Sequence, residues 1–114
     1  MASLPSLETV LKHVVRTGKV IIGSRKTLKY VKLGKVKVVV AASNLPPDLR
    51  SDLEYYAKLS NIPIIYFPGT NRDLGTVIGK PFSVAMMGIL DPGQVPLELL
   101  VLYAQKHEEG VKTS

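Results

Sequence analysis

"KVKVVVAASNLPPDLRSDLEYYAKLSNIPIIYF", residues 35–67, decides the architecture. From Val38 to Ala42 the chain is β-branched or small and apolar, with no polar residue on alternate positions. That is the pattern of a strand at the middle of a sheet covered on both faces. "SNLPPD" ends it, because two prolines cannot continue a ladder of backbone hydrogen bonds, and Asp48 is placed to cap the next helix. "LRSDLEYYAKLS" then sets Leu49, Leu53, Tyr56 and Leu59 at helical spacing, and "IPIIYF" reads as a second strand.

The same alternation extends outward. Leu4, Leu7, Val10, Leu11, Val14 and Val15 recur as one helical face that Gly18 closes. "KVIIG" is a short buried strand ending at Gly23, and Ser24 is the expected N-cap of a helix reaching Leu33, with Gly34 as its stop. Beyond residue 67, "PGTN" is a turn and "RDLGTVIG" a short helix. "FSVAMMGIL" is a fourth buried strand, and "PLELLVLYAQKHEE" a closing helix with Pro96 in its first turn. The class is α/β: a three-layer α/β/α sandwich with a central, mostly buried, four-stranded mixed sheet. A single domain is expected over residues 1–110, with 111–114 as a loose tail. Ligand sites of such sheets gather in loops at one end of the strands, which here would collect Gly23–Lys26, Asn44–Pro47 and Gly69–Asn71.

Charge is distributed unevenly over that frame. The net charge is +6, yet from Thr9 to Pro47 there is no acid, while nine bases fall in the same stretch. "GSRKTLKYVKLGKVK", Gly23–Lys37, holds six of them, with Arg25, Lys29 and Lys32 on one helical face and Leu28 and Val31 pointing elsewhere. Uncompensated charge of one sign repels itself and calls for a polyanionic partner. The absence of cysteine excludes disulfides, cysteine-ligated metal centres and thiol catalysis, and fits an intracellular protein. No apolar run approaches the ~20 residues of a membrane span. "MASLPSLETVLKH" lacks a basic segment followed by a continuous apolar one, so no signal peptide is expected.

Catalytic and metal motifs fall away on inspection. "GKVIIGSRKT" has the glycine spacing of a phosphate loop, but Ser24 and Arg25 stand where Lys and Ser/Thr are needed, and a strand fills the gap. His13 and His107 each lack a second ligand at helical spacing. Asp48 and Asp52 suit a helix start, and Glu54 lies four residues before Lys58. The expectation is a protein that is not an enzyme, with no cofactor, metal or small-molecule substrate.

A nucleic-acid site survives. Ser24, Arg25 and Lys26 lie at a helix N-terminus, where free N–H groups and the dipole favour phosphate, and Lys29, Lys35 and Lys37 extend the basic track. These residues position a backbone without reading it. Asn44 carries an amide for a base edge, with an Asx-turn as its structural alternative. Phe82 and Val84 offer apolar surface to an unstacked base, with core packing as theirs.

Residues 17–93 also resemble a known family. The turn "GSRK", the strand ending in Ala-Ser-Asn, the proline pair, "LEYYAKLS", "IPIIYF", "DLGTVIGKP" and "ILDPG" follow the order and spacing of large-subunit ribosomal proteins of the L-thirty-e type. Those proteins belong to a superfamily of kink-turn RNA binders with the three-layer fold, and archaeal forms are the closer match. The resemblance implies a constituent of the cytoplasmic ribosome, monomeric in solution, that binds sharply bent ribosomal RNA. Neighbouring ribosomal proteins are admitted as further partners. By position, Gly23, Ser24, Arg25 and Lys26 would approach the RNA backbone, Asn44 a base at the kink, and Phe82 and Val84 a flipped-out nucleotide. Asn71 would assist, and Lys29 and Arg50 would add phosphate contacts. Ser83 stands where eukaryotic relatives carry a base, which shifts that contact to Lys80. Leu45 follows Asn44 where kink-turn readers outside the ribosomal branch have an acid, which favours that branch. A small-ribonucleoprotein subunit or RNA chaperone with the same site, and an interaction module of this fold without RNA binding, are the alternatives.

Overall fold

Val38, Val39, Val40 and Ala41 form strand β2, and all four are wholly buried. A computed structural model of the protein describes residues 6–104 and shows why. β2 pairs in parallel with β3 (Ile64–Tyr66) on one side and antiparallel with β4 (Met86–Asp91) on the other. β4 pairs antiparallel with β1 (Lys19–Ile22), so the sheet is mixed, in the order β1-β4-β2-β3. Successive side chains of a strand point to opposite faces. Val38 and Val40 enter a core with Val10, Leu11 and Val14 of helix α1 (Leu7–Thr17) and Leu74 of helix α4 (Asn71–Val77). Leu100 and Ala104, from a fifth helix that begins at residue 97, complete that core. Val39 and Ala41 enter a second core with Leu28 and Val31 of helix α2 (Ser24–Lys32) and Leu53 and Ala57 of helix α3 (Pro47–Leu59). Two cores, one on each face, give the three layers. Leu4, His107 and the sequence from residue 105 onward lie outside the described residues.

Several local expectations shift. The "KVII" strand is at the sheet edge and only Ile21 of it is buried, because an edge strand has one neighbour. Ser24 is the first helical residue and Gly23 the cap, at φ 112°, a conformation that glycine adopts without a Cβ penalty. Asp48 does not cap α3. Pro46 precedes the helix and Pro47 starts it, where a missing N–H costs nothing, leaving Asp48 in the first turn. Leu59 is exposed and Ala57 buried in its stead, since six residues on from Leu53 is about 120° round the helix. β4 begins at Met86, which leaves Phe82 in the loop before it.

The directions of the strands place the site. β1, β2 and β3 run one way and β4 the other, so three strand ends and one strand start meet at one end of the sheet. Backbone bonds tie them there: Gly23 N–H to Met86 O at 3.0 Å, Ala42 N–H to Ala85 O at 2.9 Å and Ser43 N–H to Gly69 O at 2.9 Å.

Candidate nucleic-acid interface

α2 begins at this end with its dipole uncapped. No side chain caps it, no acid lies in its first turn, and Arg25 and Lys26 are exposed beside the free N–H groups. Lys29, also exposed, follows one turn on. A helix start of this kind favours negative charge. Lys35 and Lys37 are elsewhere: they precede β2 and so lie at the opposite end of the sheet from Asn44. A basic track continuous in sequence is therefore split in space.

Asn44, exposed in the turn after β2, reaches across to the start of α4. Its Oδ1 accepts the Asn71 N–H at 2.8 Å, and its Nδ2 donates to Asn71 Oδ1 at 2.9 Å. Asn71 O in turn accepts the Val84 N–H at 2.9 Å. Asn44 thus caps a helix 27 residues away instead of its own turn. The remaining first-turn groups of α4 are taken as well. Thr70 and Asp73 bond each other's backbone N–H reciprocally, and Asn71 Oδ1 accepts the Arg72 N–H at 2.9 Å. The two helix starts differ: the first donors of α4 are bonded within the loops, while α2 has no side-chain cap. One N–H of Asn44 Nδ2 and one lone pair of Oδ1 lie outside these two bonds.

The fourth loop, residues 80–85, lies flush on α4 because Gly75 has no side chain. A Cβ there would stand 2.1 Å from Phe82 O. With its backbone held down, Phe82 turns its ring outward, 55% exposed. Val84 turns inward and is 2% exposed, packed in the core with Leu74 and Val77, so its side chain anchors the loop and shows almost no face to a base. Lys80 is half-buried and its N–H donates to Gly75 O at 2.9 Å.

Arg50 is half-buried at the β3 edge, with Cζ 5.5 Å from the centre of the Tyr66 ring. Tyr66 Oη donates to Glu54 Oε2, so Glu54 serves a tyrosine as well as lying four residues from Lys58. The ring holds the guanidinium at a distance where a cation–π contact is favourable, and the Arg50 Nε is buried without a hydrogen-bond partner among the described residues. Tyr66 was not anticipated, and Gly75, whose sequence reading is a helix stop or tight turn, instead sits inside α4 to admit the Phe82 backbone. A glycine inside the short helix "DLGTV" was the available signal for the second. A groove of about 500 Å³ between α1 and α4 borders this end, but Glu8 and Asp73 line it and repel phosphate. Among the described residues no cluster of three metal-ligating side chains exists, and no helix is long and apolar enough to cross a membrane.

Comparison with known proteins gives a consistent pattern. The sequence profile of the ribosomal protein L7Ae/L30e/S12e/Gadd45 family matches residues 6–98. The large ribosomal subunit protein eL30 of Sulfurisphaera tokodaii is 50% identical over 94 residues, 82% of this chain and 89% of that one. Its counterpart in Methanopyrus kandleri is 41% identical over 97% of this chain and all of its own. That of Methanothermobacter thermautotrophicus is 54% identical over 73% of this chain and 85% of its own. A solved structure of a Bacillus halodurans protein of unknown function superposes with a TM-score of 0.71, covering 84% of this chain and 94% of that one. At 21% identity it speaks to the fold alone.

Proposed function

The chain belongs to the ribosomal protein L7Ae/L30e/S12e/Gadd45 family, and on that premise we propose that it holds a kink-turn of ribosomal RNA with the loops gathered at one end of its sheet. It is a structural, non-enzymatic constituent of the large ribosomal subunit, acting in the cytoplasmic ribosome, and RNA is its ligand. One observation supports the finer reading: Asn44, Asn71 and Val84 are bonded in series, which ties the Asn44 amide to the loop carrying the exposed Phe82, while the Gly23 N–H bond to Met86 O brings the start of α2 to the same end of the sheet.

In this reading each part supplies a different term. Gly23 lets the RNA backbone approach the α2 N-terminus, where Ser24 N–H, Arg25, Lys26 and Lys29 meet phosphates. Arg50, steadied by Tyr66, and Lys80 add two more. Asn44 bonds a base edge at the bend, Asn71 holds it, Phe82 stacks on an unpaired base, and Val84 keeps the loop in place. A bent RNA brings its own strands together, so it is costly without counter-charge. A protein that binds only the bent form shifts the population toward it.

The test is a titration against a kink-turn RNA and a straight duplex of equal length, at low and at moderate salt. Preference for the kinked RNA that persists at moderate salt supports the proposal; equal affinities that collapse together with salt overturn it. Two variants divide the site further. Phe82→Ala is expected to weaken kinked-RNA binding roughly tenfold to a hundredfold, from a stacking contact of ~1–3 kcal/mol, with the salt slope unchanged. Arg25→Ala is expected to lower the slope of log K against log salt by about 0.7–0.9, one phosphate contact.

A further inference from the structure

We infer that the far end of the α2/α3 layer is a second interaction surface, which docks an acidic, leucine- or aromatic-bearing segment of a neighbouring protein. Both helices start at the RNA end and run away from it, so their C-terminal turns are remote from the loops. There Leu33, Tyr55 and Leu59 are 57%, 61% and 65% exposed, three of the five large apolar side chains left in solvent among the described residues. Monomers seldom expose such residues in a group without a use for them.

The residues are joined through their neighbours. Ser60 Oγ donates to Val31 O at 3.4 Å, which brings the ends of the two helices together. Lys32 Nζ lies 4.7 Å from the centre of the Tyr56 ring, linking α2 to α3 beside Leu33. Tyr55 meets Tyr56 edge-on, with ring centres 5.1 Å apart. Leu59 is one turn after Tyr55 on the same side of α3. Rings held this way lose little freedom on binding. Leu53 and Ala57 supply the buried face of α3, and Leu59 and Tyr55 lie outside it.

Charge selects the occupant. Lys32, Lys35 and Lys58 are exposed around the apolar centre; against them stands Glu54, one turn before Lys58 and engaged by the Tyr66 hydroxyl, while Asp52 lies two turns nearer the RNA end. A second copy of this chain would set the same lysines face to face. RNA would gain from the lysines and Tyr55, but Leu33 and Leu59 give nothing to phosphate or sugar. An acidic segment with apolar anchors satisfies both sets. That this partner is a ribosomal neighbour rests on the proposed function; the surface itself does not.

The full chain carrying Leu33→Glu and Leu59→Glu, both at exposed positions, is compared with wild type in two assays. These are retention on large ribosomal subunits stripped of this protein, and affinity for an isolated kink-turn RNA. Retention is expected to fall at least tenfold with RNA affinity unchanged within twofold. Equal retention, or a matching fall in RNA affinity, overturns the inference. A photo-crosslinking amino acid at position 59 then identifies the occupant on the subunit. A protein segment with acids flanking an apolar residue supports it; crosslinks to RNA, to a second copy, or to nothing overturn it. Wild type without preference for kinked RNA, combined with lost retention of the double variant, would sink the RNA proposal and leave this one standing.

Discussion

Asn44→Asp is expected to lower affinity for a kinked RNA by about a hundredfold or more, and to do so beyond Asn44→Ala. In the free protein the Nδ2 donor of Asn44 meets Asn71 Oδ1, while its Oδ1 accepts the Asn71 N–H. A carboxylate keeps the second bond and loses the first, setting two acceptors against each other. It also replaces the donor available to a base by an acceptor, where a good base contact is worth ~1–3 kcal/mol. Finally it puts a negative charge among phosphates drawn in by the α2 N-terminus. The retained bond to the Asn71 N–H keeps α4 capped, so the melting temperature is expected to fall by only a few degrees. Titration of the kinked RNA together with a thermal melt checks both halves. A loss under tenfold with an unchanged melt would mean that Asn44 only clasps the loops and does not touch the base.

Gly75→Ala is the second large effect, and here two terms oppose. An alanine inside α4 gains about 1 kcal/mol of helix propensity over glycine. Against this, its Cβ would stand 2.1 Å from Phe82 O and 3.2 Å from Phe82 C, both backbone atoms that cannot swing aside. The loop must lift, giving up the Val84 N–H bond to Asn71 O and the Lys80 N–H bond to Gly75 O. Overpacking costs typically ~1–3 kcal/mol and each lost bond ~1 kcal/mol, so the steric term wins. The expected outcome is a melting temperature lower by roughly 5–15 °C and RNA binding weakened at least as much as in Phe82→Ala. Calorimetry and the same titration measure it. A variant more stable than wild type would show that the 80–85 loop is not pinned by the missing side chain.

The two substitutions mark where sequence reading stops. The proline pair, the glycine stop at Gly34 and the uninterrupted Val38–Ala41 run were legible because each acts over a few residues: a ring that cannot donate, a φ that favours glycine, a strand with no polar face. Asn44 was legible as a polar group at a strand end and Asn71 as a residue of a neighbouring loop, but not the bonds between them, because the two are distant in sequence and their amides meet only after β2 and α4 are placed. Phe82 and Val84 read alike as apolar residues after a proline. Nothing local says that one faces solvent and the other the core.

The order of helices and strands, the burial of β2 on both faces and the basic character of α2 follow from periodicity and charge, which are local properties of the chain. Tertiary structure alone decided which bases share the loop end: the strand directions carry Arg25 and Lys26 to it and leave Lys35 and Lys37 at the other. It also decided that the first donors of α4 are bonded within the loops while α2 has no side-chain cap. The physical reason is common to both. Whether a charge or a hydrogen-bonding group is available depends on what is packed beside it, and those neighbours come from remote parts of the chain.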